Sequence, residues 1–139
     1  DLSSFATEIL NINNIVLKAK KGITLVVLID ELARTTNPDE GKAIVNACIE
    51  MLKNKNTISL ITTHYSGLSA DCRKLRVKGL TEYSPKTKIN INNINNFVDY
   101  SLTEVQNEQV PAEAIRIAEI LGVDSELLKL SKDFFKKEQ

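Results

Sequence analysis

Two adjacent carboxylates, Asp30 and Glu31, follow the apolar run Leu25-Val26-Val27-Leu28-Ile29. Acids at the exit of a buried strand cost free energy unless they are solvated or used. Their usual employment is nucleotide chemistry. The first carboxylate holds Mg2+, often through water, because Mg2+ is a hard ion that keeps several waters. The second orients or deprotonates the water that attacks a γ-phosphate. Taken alone, the run also fits an ordinary strand ending in two solvated acids. A further candidate is the sole histidine, His64, in Thr62-Thr63-His64-Tyr65 at the end of another apolar run, Thr57-Ile58-Ser59-Leu60-Ile61.

The elements that must position these groups read as α/β. An unbroken apolar run such as 25–30 predicts a strand buried on both faces, typical of a parallel sheet. A polar loop follows, then a helix over 38–54, with Asn37 as N-cap and Pro38 at its first position. A strand over 57–62 comes next. A crossover of this kind makes the two strands parallel, with both C-terminal ends on one edge. Ligands of open α/β sheets bind at that edge. Upstream, residues 4–20 predict a helix with Phe5, Ile9, Ile12, Ile15, Val16 and Ala19 at helical spacing. Ser3 or Ser4 can cap it, and Gly22 ends it. Residues 66–72 read as a short helix or turn. Residues 73–83 and 88–102 read as β-rich, with Ser84-Pro85-Lys86-Thr87 as a turn. The Asn-rich stretch 90–96 is attributed to codon bias in an AT-rich genome. The tail predicts two helices. Pro111 to Leu121 carries Ala114, Ile117, Ala118 and Leu121 on one face, and Gly122 breaks it. Ser125 to Lys137 carries Leu127, Leu128, Leu130, Phe134 and Phe135. This pair can be read as a DNA-binding helix-turn-helix, but Glu119, Asp124 and Glu126 would repel phosphate, which favours packing or dimerisation.

Lys+Arg and Asp+Glu are equal at 18 each, so no overall basic field draws the chain to nucleic acid. The basic cluster Lys18, Lys20 and Lys21 sits where a helix ends, and cations suit the dipole there. A length of 139 residues with 42% hydrophobic content suffices for one cored domain. Cys48 and Cys72 have no metal-ligand spacing. Cys48 shares a helical stripe with Ile44, Met51 and Leu52 and reads as a core thiol. The pattern fits a reducing, cytoplasmic compartment, and no apolar run is long enough to cross a bilayer.

The ordered residues resemble the ATPase domain of the MutS family, a branch of the ABC-type ATPases. Ser3-Ser4-Phe5-Ala6-Thr7-Glu8 is similar to its signature motif, and Leu25 to Glu31 to its Walker B strand. Arg34 to Gly41 resembles its D-loop, and Thr63-His64-Tyr65 its switch histidine. Tyr100-Ser101-Leu102 with Ala114 to Gly122 resembles its closing strand and C-terminal helices. Two departures stand out. Ala33-Arg34-Thr35-Thr36 replaces the common Gly-Arg-Gly-Thr of mismatch-repair D-loops, which removes backbone freedom, and Asn37-Pro38-x-Glu40-Gly41 looks more like divergent MutS relatives. No Gly-x-x-x-x-Gly-Lys-Ser/Thr occurs, so the phosphate-cradling Walker A loop is missing. In the family that loop lies N-terminal to the signature, and the chain is therefore expected to be the C-terminal half of an ATPase domain.

The resemblance implies a partial P-loop NTPase sheet of ABC type with flanking helices over residues 1–108, then a helical dimerisation element over 109–139. It implies ATP and Mg2+ as cofactors and a composite site across a homodimer. Asp30 would hold Mg2+, Glu31 would act on the attacking water, and His64 would contact the γ-phosphate region, all in cis. Ser3 would reach the partner's nucleotide in trans, while Arg34 and Asn37 would line the subunit interface. The leading expectation is the ATPase module of a MutS-family DNA mismatch repair or recombination protein, with DNA bound by domains absent from this chain. Two alternatives stay open: a divergent MutS-like ATPase acting on another substrate or on a protein partner, and a non-catalytic dimerisation fragment. The chain alone is expected to be inactive.

Overall fold

A computed structural model describes residues 2–83, 86–105 and 113–138. The turn expected at Ser84-Pro85, the boundary at 108/109 and the helix start at Pro111 lie outside the described residues. The chain forms two compact units, Asp1–Arg73 and Lys74–Gln139, of mixed α/β character with small sheets and flanking helices.

The first unit runs α1 (Leu2–Lys20), β1 (Leu25–Ile29), α2 (Pro38–Leu52) and β2 (Thr57–Ile61). Helix α1 starts two residues earlier than the apolar spacing predicts, so Ser3 and Ser4 lie inside its first turn rather than at its N-cap. Gly22 closes it at φ 78. Its N–H donates to Ala19 O, and the Ile23 N–H donates to Lys18 O. That pair of bonds satisfies two terminal carbonyls and requires a left-handed residue, which glycine supplies without a Cβ clash. Helix α2 starts as expected. The Asn37 Oδ1 accepts the N–H groups of Asp39 at 2.9 Å and Glu40 at 3.5 Å, and Pro38 takes the first helical position. Such a cap contributes about 1 kcal/mol.

Strands β1 and β2 pair in parallel, with Leu25 opposite Thr57 and Ile29 opposite Ile61. This is the βαβ arrangement that the alternating apolar and polar segments predict. Val27 and Ile29 point into a core with Ala19 of α1 and Val45, Cys48 and Leu52 of α2. Phe5, Ile12, Ile15 and Ile44 pack around it, whereas Met51 is exposed. Leu32 and Val45 are fully buried, each stabilising by about 1.5–3 kcal/mol. Burial pushes the Cys48 thiol above its ordinary value, so it is an inert core group. The expectation of a strand covered on both faces is not met. Val26 is 73% and Leu28 71% exposed, and their register partners Ile58 and Leu60 are exposed too. Both helices of this unit lie against the other face, and among the described residues nothing covers this one.

Residues 66–72 form no helix. In the second unit β3 (Leu75–Leu80) pairs antiparallel with β4 (Val98–Glu104), with an irregularity between Val77 and Gly79. Residues 88–97 were expected to be β-rich but hold turns and a 3-10 turn at Ile94–Phe97. The asparagines cause this locally. Asn90 Oδ1 accepts the Asn92 N–H, and Asn93 Oδ1 accepts the Asn90 N–H, and such side-chain bonds compete with a ladder. Helix α3 (Glu113–Ile120) ties to β3 where Leu80 N–H donates to Glu113 Oε1 at 2.6 Å. It half-buries Ile115, Ile117, Ala118 and Ile120 and leaves Ala114 and Leu121 exposed, a face rotated from the expected one. Gly122, at φ 75, breaks it as expected. Helix α4 (Ser125–Lys137) is capped by Asp124. Leu127, Leu130 and Phe134 are its exposed apolar residues, while Leu128 and Phe135 are half-buried.

Candidate functional site at the carboxyl edge of the parallel strands

Because β1 and β2 are parallel and in register, the residues that follow them emerge on one edge. Thr62 N–H continues the ladder to Ile29 O at 2.9 Å, which sets Thr62 beside Asp30. The Thr62 hydroxyl donates to Asp30 Oδ1 at 2.6 Å and accepts the Glu31 N–H at 2.9 Å. One side chain from β2's end thus bridges the two acids at β1's end.

The acids sit on a sharp turn. Glu31 has φ 48 and Ala33 φ 61, a region costly for residues with a Cβ. The turn is held from three sides. Leu32, with no exposed surface, anchors it in the core. The Ala33 N–H donates to Glu8 Oε1 of α1 at 2.9 Å. The Tyr65 hydroxyl donates to Ala33 O at 2.7 Å. The Tyr65 ring in turn lies on Gly41 at the start of α2, where any Cβ would collide with it.

Of the residues singled out from sequence, Asp30, Glu31 and Arg34 share this turn. Arg34 Nη1 pairs with Glu31 Oε2 at 2.5 Å. Both side chains are solvent-exposed, so the pair contributes about 0–1 kcal/mol and opens readily. Asn37 uses its side-chain oxygen to cap α2. His64 is exposed and tilts against the Tyr65 ring, with centroids 4.2 Å apart. Ser3 lies five residues before Glu8 on α1, about 7.5 Å along the helix axis. The Glu8–Ala33 bond therefore links the helix carrying Ser3 to the acidic turn. Thr62, Tyr65 and Glu8 are given no role by the sequence, although Tyr65 and Glu8 lie within the motifs quoted above. Each matters through a partner at least 25 residues away in the chain, and only the packing of α1 and the pairing of the strands bring those partners together.

The donor chemistry suits Mg2+. A carboxylate and a hydroxyl are hard oxygen donors, and Mg2+ is commonly held by one or two carboxylates with water and phosphate completing its shell. Among the described residues no group of three His, Cys, Asp or Glu could form an all-protein metal cage. The residues fit the metal and water end of a nucleotide site. They do not supply its phosphate cradle.

Residues 1–137 match the family described as MutS domain V. The chain is 30% identical over 142 residues to "Endonuclease MutS2" of Carboxydothermus hydrogenoformans, covering 99% of this chain and 16% of that protein. It is 39% identical over 74 residues to the protein of that name from Clostridium novyi, covering 53% of this chain and 9% of the relative. Against that of Fusobacterium nucleatum it is 42% identical over 69 residues, covering 50% and 9%. The chain thus spans less than a fifth of the length of these relatives. With its acidic turn, its histidine-bearing strand end and the match running almost throughout, the chain belongs to the MutS domain V family.

Proposed function

We propose that this chain is the C-terminal part of an ATPase module in a protein of the MutS2 type, acting in the cytoplasm. The observation that carries this reading is the convergence of Asp30, Glu31 and Thr62 on the carboxyl edge of a parallel strand pair. Asp30 would hold Mg2+, which when bound neutralises phosphate charge. Glu31 would orient the attacking water and accept its proton, once its carboxylate leaves Arg34. His64, two residues beyond Thr62, would face the γ-phosphate. The sheet of ABC type would be completed by chain outside this sequence, which would also supply the Walker A loop and cover Val26, Leu28, Ile58 and Leu60.

Ser3, at the start of α1, would serve the partner subunit's nucleotide in a homodimer, with Arg34 and Asn37 lining the subunit interface. In mixed dimers carrying Ser3→Arg in one subunit and Glu31→Gln in the other, trans action leaves one intact site and residual hydrolysis. Complete loss would place Ser3 in cis. The Ala33-Arg34-Thr35-Thr36 turn, which departs from Gly-Arg-Gly-Thr, favours a substrate other than mismatched DNA. Its relatives are named endonucleases, and the full-length protein would accordingly be an endonuclease contacting DNA through other domains. The reading is tested by ATP hydrolysis with and without Mg2+. The full-length protein should hydrolyse ATP only with Mg2+, and the 139-residue chain should not. Turnover by the chain alone would overturn the account, because nothing in it cradles the phosphates.

A further inference from the structure

Thr62 makes bonds to three consecutive residues of β1 and its turn. Its N–H donates to Ile29 O, its hydroxyl hydrogen goes to Asp30 Oδ1, and its hydroxyl oxygen accepts the Glu31 N–H. A hydroxyl has one hydrogen to give, and here Asp30 receives it. The bond holds one oxygen of the exposed Asp30 carboxylate. The accepted bond acts on the peptide that carries Glu31 into its left-handed conformation at φ 48. Without that bond the Glu31 peptide is free to relax toward negative φ, which re-aims its carboxylate. Among the described residues the Glu31 N–H makes no other bond, and its side chain pairs with the exposed Arg34. The Thr62 hydroxyl therefore ties the Asp30 carboxylate to the Glu31 backbone.

We propose that Thr62 is a positioning residue whose hydroxyl bridge sets the metal-binding carboxylate of Asp30 and the water-activating carboxylate of Glu31 in fixed relation. This rests on the ATPase reading above for its chemistry, and on the two hydroxyl bonds for its geometry. Groups that hydrogen-bond a metal's carboxylate ligand hold its orientation, and their removal typically weakens metal binding or activity about 10–100-fold.

Two variants separate the hydroxyl from the bulk. Thr62→Val keeps the shape and β-branching suited to a strand end but has no hydroxyl. Thr62→Ser keeps the hydroxyl. In the full-length protein with bound ADP, Mn2+ affinity read by electron paramagnetic resonance should fall about tenfold or more in Thr62→Val. Its kcat for ATP should fall by a similar factor with KM for ATP unchanged, and Thr62→Ser should restore both. In the 139-residue chain, hydrogen exchange at the Glu31 amide should quicken in Thr62→Val and not in Thr62→Ser. A Thr62→Val protein with parental Mn2+ affinity and parental Glu31 exchange overturns the proposal. So does a Thr62→Ser protein as impaired as Thr62→Val, since that would make bulk the determinant. A parent protein that neither binds Mn2+ with ADP nor hydrolyses ATP would sink the ATPase reading instead. Glu31 exchange would still decide whether Thr62 pins the turn.

Discussion

Ala33 shows how narrowly the acidic turn is specified. Its φ of 61 costs a residue with a Cβ about 1–2 kcal/mol. Its methyl group, with no exposed surface, returns about 0.8 kcal/mol. Glycine would remove the strain but lose that burial and gain freedom in the unfolded chain worth about 0.5–1 kcal/mol. The terms nearly cancel, so Ala33→Gly should change stability by less than about 1 kcal/mol. Ala33→Val should cost more than about 2 kcal/mol, because a β-branched side chain tolerates positive φ poorly and finds no room. Urea unfolding of the two variants checks this. A valine variant with the parental midpoint would contradict the turn geometry. Asp30 and Glu31 stand out in the sequence as candidates because charge at the end of an apolar run is rare enough to notice, and His64 because it is the sole histidine. Thr62 does not, because threonine at a strand end is ordinary until register sets it between two acids.

Between elements, one chain of contacts joins α1, the acidic turn, β2's end and α2: Glu8 to Ala33, Ala33 to Tyr65, Tyr65 to Gly41. A methyl at Gly41 would force the Tyr65 ring away and break its bond to Ala33 O. Gly41→Ala should therefore cost about 1–3 kcal/mol by overpacking. Tyr65→Phe should cost about 1 kcal/mol for the lost hydrogen bond. The two act on one contact, so the double variant should be less destabilised than the sum of the singles. Strict additivity in thermal unfolding would show that Gly41 and Tyr65 are uncoupled. The helix ends were readable because Asn37, Gly22 and Gly122 each supply a specific backbone or capping need. Residues 88–97 were misread because isoleucines spaced among asparagines mimic alternation, while the asparagine side chains bond the backbone locally. The uncovered face of β1 was also misread. An apolar run reports that both faces are to be buried, and says nothing of whether the covering group lies in the same 139 residues.

At the scale of the whole molecule, each unit leaves apolar surface uncovered among the described residues, and two such surfaces bear on self-association. Val26, Leu28, Ile58 and Leu60 form the first, and Leu127, Leu130 and Phe134 the second. Unpaired strand edges and apolar patches recruit other chains, so the 139-residue chain should self-associate. The amphipathic α4 is the surface expected to give a defined dimer. Light scattering on the chain and on a truncation ending at Gly122 separates the surfaces. Loss of the dimer on truncation supports the tail, an unchanged dimer moves the contact to the β1–β2 sheet, and a clean monomer at high micromolar concentration contradicts self-association altogether. The central claim concerns the acids, since the family match identifies the domain while the geometry argues for hydrolysis. It is tested most directly by Glu31→Gln in the full-length protein, with ATP binding and single-turnover hydrolysis measured on one preparation. The variant should bind ATP with parental affinity, because Asp30 and Thr62 are intact, and hydrolyse it about 100-fold or more slowly, as expected for loss of a general base. Hydrolysis at the parental rate would contradict the assignment of Glu31 and, with it, the nucleotide-hydrolysing edge built on β1 and β2.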